Sequence, residues 1–216
     1  MLLFASDLSI AYLAGFLLGA LIGMTVHEFA HNYVAHLMGD PVPAREGRLT
    51  LDPTVHIYWP GFLMFVLIGF GILGSAPISA NRMRNPRWGY LAAVAAGPFS
   101  NLLLAVIFGV IVQLIGLQRL VFNYVQVWEV LQAIIVINIV LFLFNLLPLF
   151  PLDGWHMLLA LLPPDQAYWW QRNAQTTQYV FMFILLLSFF PLGGFDPFGI
   201  IIREPLNFIL RTVLGL

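Results

Sequence analysis

The sequence contains no cysteine and no lysine, and only 9% of its 216 residues are charged. Without cysteine there are no disulfides and no thiolate ligands, so any metal site must be built from His, Asp and Glu. The net charge is -1 and no basic run is present, which excludes a surface that tracks nucleic-acid phosphates. A soluble domain carries roughly a quarter charged residues, so 61% hydrophobic content and a mean hydropathy of +0.90 indicate a protein of the lipid bilayer.

Apolar segments make up most of the chain. A membrane-crossing helix needs roughly 20 apolar residues, so we expect an all-α polytopic protein with five or six spans. One of the segments is short and contains four glycines, and it either re-enters or crosses and returns as extended chain packed against protein. We expect a single membrane-embedded domain over residues 1–216, with a core at 8–160 and further C-terminal segments at 178–190 and 197–215. The six segments cover residues 8–38, 61–74, 89–117, 127–147, 178–190 and 197–215.

Arginines predict the orientation. No basic residue precedes the first apolar segment, which favours a retained span over a cleaved signal peptide. Asp7 lies at its start, and Arg45 and Arg48 follow its end, so the positive-inside rule puts the N-terminus outside and residues 39–60 in the cytoplasm. Three further arginines at 82–87 follow the short glycine-rich segment, and both loops end up cytoplasmic whether that segment re-enters or crosses and returns as extended chain. We expect an integral protein of the cell membrane.

A short strand is predicted after the first span. Gly39, Asp40 and Pro41 end the first helix, because glycine and proline terminate helices. Residues 47–53 then combine apolar and polar residues with a final Asp-Pro, which is typical of a strand and turn.

A His-Glu-x-x-His motif lies near the end of the first apolar segment. His27 and His31 are four residues apart, so on a helix both rings lie on one face and can hold one zinc ion, while Glu28 reaches a water molecule. Zinc polarises a scissile carbonyl and lowers the pKa of its water toward about 7, and the carboxylate takes the proton and passes it to the leaving amine. A buried structural pair and a proton relay are the alternatives for such a helix. An ionisable cluster in an apolar helix needs partners and a use, which favours the metal site.

Asp153 is the best candidate for a third protein ligand. It follows a run in which Pro148 and Pro151 break the helix, so the carboxylate can be directed sideways at a site. An ordinary helix-ending turn, with Asp153 as the cap of the next helix, is the alternative. Three ligands would leave one position open for water.

Asn101 lies inside the third apolar segment, after Gly97 and Pro98. A buried amide must find hydrogen-bond partners. It suits a residue that orients a substrate backbone or stabilises an oxyanion, and it equally suits a tie between helices.

In order, the three motifs are His-Glu-x-x-His, Gly-Pro-x-x-Asn and Asn-x-x-Pro-x-x-Pro-Leu-Asp-Gly, and together they resemble the site-2 protease family of intramembrane zinc metalloproteases. The resemblance covers roughly residues 20–160 and corresponds to a compact form without a PDZ or CBS domain. It implies a site with one zinc ion per chain near the cytoplasmic side. The implied residues are His27, His31 and Asp153 as ligands, Glu28 as general base and acid, and Asn101 and Asn145 as polar residues of the cleft.

The resemblance implies an enzyme that hydrolyses peptide bonds in or beside transmembrane segments of other membrane proteins. The alternative is a membrane cation carrier that uses intramembrane His and Asp. Glu28 separates the two, since a carrier has little need for a carboxylate beside its ligands. The remaining histidines of interest, His56 and His156, are expected to serve loop packing and the membrane interface rather than metal binding. The sequence leaves the oligomeric state open.

Overall fold

The computed structural model describes residues 9–68, 71, 74–190 and 194–215. These residues form a helical protein, and their only β pairing is a single antiparallel bridge between Ile57 and Gly74. The helices are α1 (Ile10–Leu37), α2 (Val42–Arg45), α3 (Pro53–His56), α4 (Trp59–Ile68), α5 (Pro86–Ile115), α6 (Leu117–Asn123), α7 (Val125–Asn145), α8 (Asp153–Leu161), α9 (Pro164–Arg172), α10 (Ala174–Phe189) and α11 (Pro197–Leu214).

Three helices, α1, α5 and α7, form the central bundle and are long and apolar enough to cross a membrane. At one end the Ser9 hydroxyl, which also caps α1, donates to Glu129 Oε2 of α7 at 2.6 Å. At the other end the Arg84 amide donates to Met38 O at 2.9 Å, next to the start of α5. Helix α1 is therefore parallel to α7 and antiparallel to α5.

The predicted all-α membrane fold is confirmed, but a count of five or six spans is not. Apart from the three long helices, the described residues contain two shorter apolar helices, α4 and α10. Helix α11 has 18 residues, but Arg203, Glu204 and Arg211 interrupt its apolar character.

Closest packing in the bundle occurs along a glycine stripe of α1. Gly15, Gly19 and Gly23 recur every four residues and lie on one helix face. A Cβ atom on Gly15 would lie 2.5 Å from Val130 O, and one on Gly19 would lie 2.9 Å from the Ile134 Cα. Small residues at this spacing let two helix backbones approach closely in a membrane, which fixes α1 against α7.

Ile57 and Gly74 lie at the same level of the protein, because they form an antiparallel bridge. Between them α4 has 10 residues and is about 15 Å long, too short to cross. Its Phe65 stacks on Phe16 of α1 with 5.5 Å between ring centroids. The described part of this segment is therefore a re-entrant excursion beside α1, and the two arginine-bearing loops lie at the same end of the bundle.

Asp40 joins these two loops. Its fully buried carboxylate accepts two hydrogen bonds from Arg82, at 2.7 and 3.0 Å, and one each from the Val42 and Ser79 amides. Burial raises the pKa of Asp40. The guanidinium of Arg82 and the two amides lower this pKa by more than burial raises it, so the net pKa lies below the usual value. The carboxylate therefore stays ionised and holds the turn after α1 against the segment before α5.

The predicted strand at 47–53 is not confirmed, since residues 47–52 form a turn and bends. The Arg48 amide donates to Pro43 O at 2.8 Å, and the Asp52 amide donates to the Thr50 hydroxyl at 3.2 Å. Asp52 then caps α3 through the Thr54 amide at 2.9 Å. A local carbonyl and two local side chains satisfy these backbone amides, which removes the need for a partner strand.

Candidate active site

Two imidazoles and one carboxylate meet at the junction of α1 and α8. His27 and His31 lie one turn apart on α1, and their Nε2 atoms are 3.0 Å apart. Asp153 is the first residue of α8, and its Oδ2 lies 3.1 Å from His27 Nε2 and 3.3 Å from His31 Nε2. Between α7 and α8 residues 146–152 are non-helical, as Pro148 and Pro151 predict, and this break directs the carboxylate at α1.

The outer nitrogen of each imidazole is held by an acceptor on α5. His27 Nδ1 lies 2.7 Å from Asn101 Oδ1, and His31 Nδ1 lies 2.8 Å from Ala93 O. Carbonyl oxygens only accept, so both Nδ1 atoms must carry the ring proton. In the neutral imidazole the Nε2 atoms then present lone pairs to the site.

Asn101 has its orientation fixed by two further hydrogen bonds. Its amide nitrogen donates to Gly23 O at 3.0 Å and to Asn138 Oδ1 at 3.1 Å, so the oxygen must face His27. The residue is fully buried where α1, α5 and α7 meet, and it does not line the cavity described below. Asn101 of α5 therefore links α1 and α7 through hydrogen bonds, and its oxygen orients the His27 ring from the side opposite the metal-facing nitrogen.

The geometry fits a zinc ion. Two lone pairs and a carboxylate oxygen converge without a proton between them, and the buried Asp153 Oδ2 has no hydrogen-bond partner. Tetrahedral zinc with ligand bonds of about 2.0–2.1 Å would put its ligand atoms roughly 3.3 Å apart, close to the observed separations. A cation at this point neutralises the repulsion that the three donors would otherwise exert on one another.

Gly97 of α5 closes the site from behind the ligands. A Cβ atom there would meet His31 Nε2 and would lie 2.8 Å from His27 Nε2. Only glycine lets α5 approach the imidazoles this closely, which is a physical reason for the glycine of the Gly-Pro-x-x-Asn motif.

Glu28 lies beside the ligands and is 4% exposed. Its Oε2 is buried without a hydrogen-bond partner, and its Oε1 would lie 2.7 Å from a Cβ on Gly74. The re-entrant segment therefore packs directly against the carboxylate. An unpartnered buried carboxylate beside three metal-ligating atoms is suited to accept a proton from water.

A cavity of about 510 Å³ opens in front of the cluster. Its walls include His27, Glu28, His31 and Asp153, and also Asn145 at the end of α7. The Asn145 amide nitrogen donates to Leu141 O at 2.9 Å, so its side-chain oxygen remains for other contacts. Of the two asparagines predicted for the cleft, Asn145 lines it and Asn101 does not.

Comparisons with known proteins identify the family of this chain. The family profile described as Peptidase family M50 matches residues 117–189. "Putative zinc metalloprotease YwhC" of Bacillus subtilis is 35% identical over 178 residues, which cover 81% of this chain and 80% of that protein. The chain belongs to the site-2 protease family. "Putative zinc metalloprotease Rip2" of Mycobacterium tuberculosis is 29% identical over 191 residues, 85% of this chain and 70% of that protein. No solved structure matches.

Membership of the site-2 protease family makes the protein a peptidase with zinc as cofactor and protein as substrate. Its three long apolar helices are those of a membrane protein. The membership also favours proteolysis over the cation-carrier alternative.

Tyr90 is a residue of this peptidase cavity that the sequence analysis missed. Its hydroxyl is hydrogen-bonded to His156 Nδ1 at 3.1 Å, and both residues line the cavity. Burial lowers the pKa of His156, so its ring is neutral near pH 7. The sequence spacing indicated this position, because Tyr90 precedes Gly97 by seven residues and so lies on the same face of α5.

His56 does not line this cavity. It is buried, and its Nε2 lies 2.7 Å from Thr50 O.

Asn101→Ala is expected to weaken zinc binding about 10- to 100-fold, because His27 loses the acceptor that fixes its tautomer and orientation. Competition with a zinc chelator on the purified peptidase measures this affinity. The control is Asn123→Ala, at the exposed end of α6. Equal zinc affinity in Asn101→Ala and wild type would contradict the orienting role.

Proposed function

We propose that the protein is an intramembrane zinc endopeptidase that hydrolyses peptide bonds in or beside transmembrane segments of other membrane proteins, as in regulated intramembrane proteolysis. The observation that carries this proposal is the position of Glu28 and the three metal-ligating side chains. They face a cavity between helices that are long and apolar enough to span a bilayer. We propose one protease domain over residues 1–216, with its core at 8–160 and the segments 178–190 and 197–215 added to it.

The site lies toward the cytoplasmic side of the cell membrane. His27 and His31 are in the last three turns of α1, at the end where the chain continues into the arginine-bearing loops. Arg45, Arg48 and residues 82–87 supply positive charge at that end, and positive loops favour the cytoplasm. Water therefore reaches the cavity from the cytoplasm over a short distance.

Each residue of the site has a separate role. His27, His31 and Asp153 hold one zinc ion per chain, and zinc supplies Lewis-acid polarisation and a more acidic water when bound. Glu28 takes a proton from the attacking water and then gives it to the amine that leaves. The side-chain oxygen of Asn145 accepts an N–H of the substrate backbone in the cavity.

The substrate binds as extended chain, since a helical peptide bond is shielded by its own hydrogen bonds. Residues 75–79 form neither helix nor strand, and Ala76 and Ile78 of this segment line the cavity. Within the described part of the chain, the backbone groups of Ala76 and Ile78 have no hydrogen-bond partner. An unwound segment of a membrane protein can pair with them by strand addition, which presents one carbonyl beside Glu28.

Tyr90→Phe is expected to lower kcat about 100-fold with little change in KM or bound zinc. Tyr90 and His156 line the same cavity as the ligands, and we assign to them the hydrogen bond that the oxyanion of the transition state receives. The measurement is steady-state hydrolysis of one cleaved peptide, with zinc quantified in the same samples. Tyr58→Phe, at an exposed tyrosine, is the control. A higher KM with unchanged kcat would instead assign Tyr90 to ground-state binding of the substrate.

The proposed function is tested with purified protein in lipid vesicles and a panel of single-span membrane proteins. Cleavage within or next to the apolar segment of a panel member, mapped by mass spectrometry, is the expected result. A soluble unfolded protein of matched loop sequence serves as the comparison. Cleavage of the soluble protein alone would contradict intramembrane specificity, while leaving the peptidase assignment in place.

A further inference from the structure

Helix α11 runs along the bundle at membrane depth. Near its start Phe198 packs against Phe144 of α7, with 5.5 Å between ring centroids. Near its end Val213 O accepts a hydrogen bond from Gln113 of α5 at 2.8 Å. Between these points Ile202 lines an apolar cavity of about 250 Å³ together with Ile137 of α7. The α7 residues that line this cavity, from Ile137 to Phe144, belong to the C-terminal half of α7, so Ile202 lies within the depth of that span.

Arg203 and Glu204 follow directly, and both side chains are exposed. Throughout the part of the chain that the structure describes, neither forms an ion pair or a side-chain hydrogen bond. They cannot pair with each other across the helix surface, because consecutive residues point about 100° apart. Large apolar side chains are exposed nearby, with Ile200 62% and Phe208 72% exposed, as expected of a surface in lipid, and Asn207 is the exposed polar neighbour one turn after Arg203.

An exposed charge at this depth requires a partner, because a charged side chain near the bilayer centre is costly and marks a functional contact. Arg211 differs, since it lies in the last turn of α11 and can extend to the interface. Arg203 and Glu204 lie about 15 Å and 14 Å along the helix from Val213, and about 9 Å and 11 Å from Pro197, so both are farther from a helix end than Arg211 is.

We propose that α11 is a homodimer interface in which Arg203 of each copy pairs with Glu204 of the other. A twofold axis normal to the membrane keeps equivalent residues at equal depth, so the two opposite charges come together in both directions. The surface carries one charge of each sign side by side, and it is therefore complementary to itself. A different membrane protein would need a matching pair at the same depth, whereas a second copy supplies one by symmetry.

The absence of cysteine allows a direct test of this interface. Asn207 is exposed one turn after Arg203 on the same face, so it faces its counterpart across the twofold axis. The full-length variant Asn207→Cys in lipid vesicles is oxidised with copper phenanthroline, and covalent dimers are quantified on non-reducing gels. The matched control is Leu103→Cys, which is 60% exposed near the middle of α5. Dimers are expected with Asn207→Cys and not with Leu103→Cys.

Charge reversal identifies the pair. In the Asn207→Cys background, Arg203→Glu creates two like-charged contacts and is expected to lower cross-linking at least about tenfold. Adding Glu204→Arg exchanges the two charges and is expected to restore it. Arg203→Gln, which removes a charge without adding a like one, provides the comparison if the reversal prevents folding; bound zinc reports folding in each variant.

Equal cross-linking of Asn207→Cys and Leu103→Cys would overturn the proposal. So would cross-linking that survives Arg203→Glu, or a double exchange that fails to restore dimers while zinc remains bound. The readout needs no substrate, so it stands whether or not the wild type cleaves the peptides offered to it.

Discussion

Replacing Glu28 with glutamine is expected to reduce peptide hydrolysis at least about 1,000-fold and to leave about one zinc ion bound per chain. The amide has the size of the carboxylate but cannot take a proton from water. Zinc remains because Glu28 is not among the three side chains whose ligand atoms converge. The measurement pairs zinc quantification with hydrolysis of single-span membrane peptides by wild type and variant in detergent.

Glu46→Gln is the matched control for this change. Glu46 lies on an exposed loop, where it contacts Arg48 at 3.3 Å, and its replacement is expected to leave hydrolysis unchanged. Activity of Glu28→Gln within about tenfold of wild type would remove Glu28 from the role of general base. Loss of zinc from Glu28→Gln would instead show that the carboxylate supports the ligands.

Gly97→Ala is expected to lower zinc affinity on the order of 100-fold or more, and hydrolysis with it. The added methyl group would fall on the metal-facing nitrogens of His27 and His31. Neither ring can turn aside, because Asn101 and Ala93 hold the opposite nitrogens. The measurement is chelator competition on the purified variant, with circular dichroism to establish that the helices are intact.

A second glycine of the same helix provides the control. A Cβ on Gly89 would meet the Met38 Cβ at 3.2 Å and the Met83 sulfur at 3.3 Å, a tight contact with residues that are not zinc ligands. Gly89→Ala is therefore expected to keep zinc. If Gly97→Ala binds zinc as wild type does, α5 is not packed against the imidazoles as closely as described.

Most of the zinc cluster could be predicted because helix geometry is local. The spacing of His27 and His31 fixes two rings on one face wherever the helix lies, and prolines before Asp153 indicate where the chain turns toward them. The sequence also left two roles open for Asn101, and the structure distinguishes them through the hydrogen bonds of its amide. That choice depended on which helices meet there, which no local pattern reveals.

Other features depend on tertiary contacts and could not be predicted. A strand at residues 47–53 fits the pattern of side chains, but Thr50 and Asp52 satisfy the local backbone instead. The return of the chain at Gly74 became visible only through its bridge to Ile57. Tyr90 shares the face of α5 that carries Gly97, but its part in the site becomes clear only from its hydrogen bond with His156, which depends on how α5 and α8 pack.

The glycine stripe of α1 determines which side of the cavity can open. Helix α1 carries both imidazoles and Glu28, and it is held by α7 along Gly15, Gly19 and Gly23 and by α5 at Gly97. Helix α1 is packed backbone to backbone against α7, and its imidazoles are packed against α5, so it is held on two sides. We therefore expect a bulky polypeptide to enter by displacement of the opposite wall, where residues 74–78 and α10 border the cavity. In that case α1 is the stationary element, and substrate admission is a motion of its surroundings.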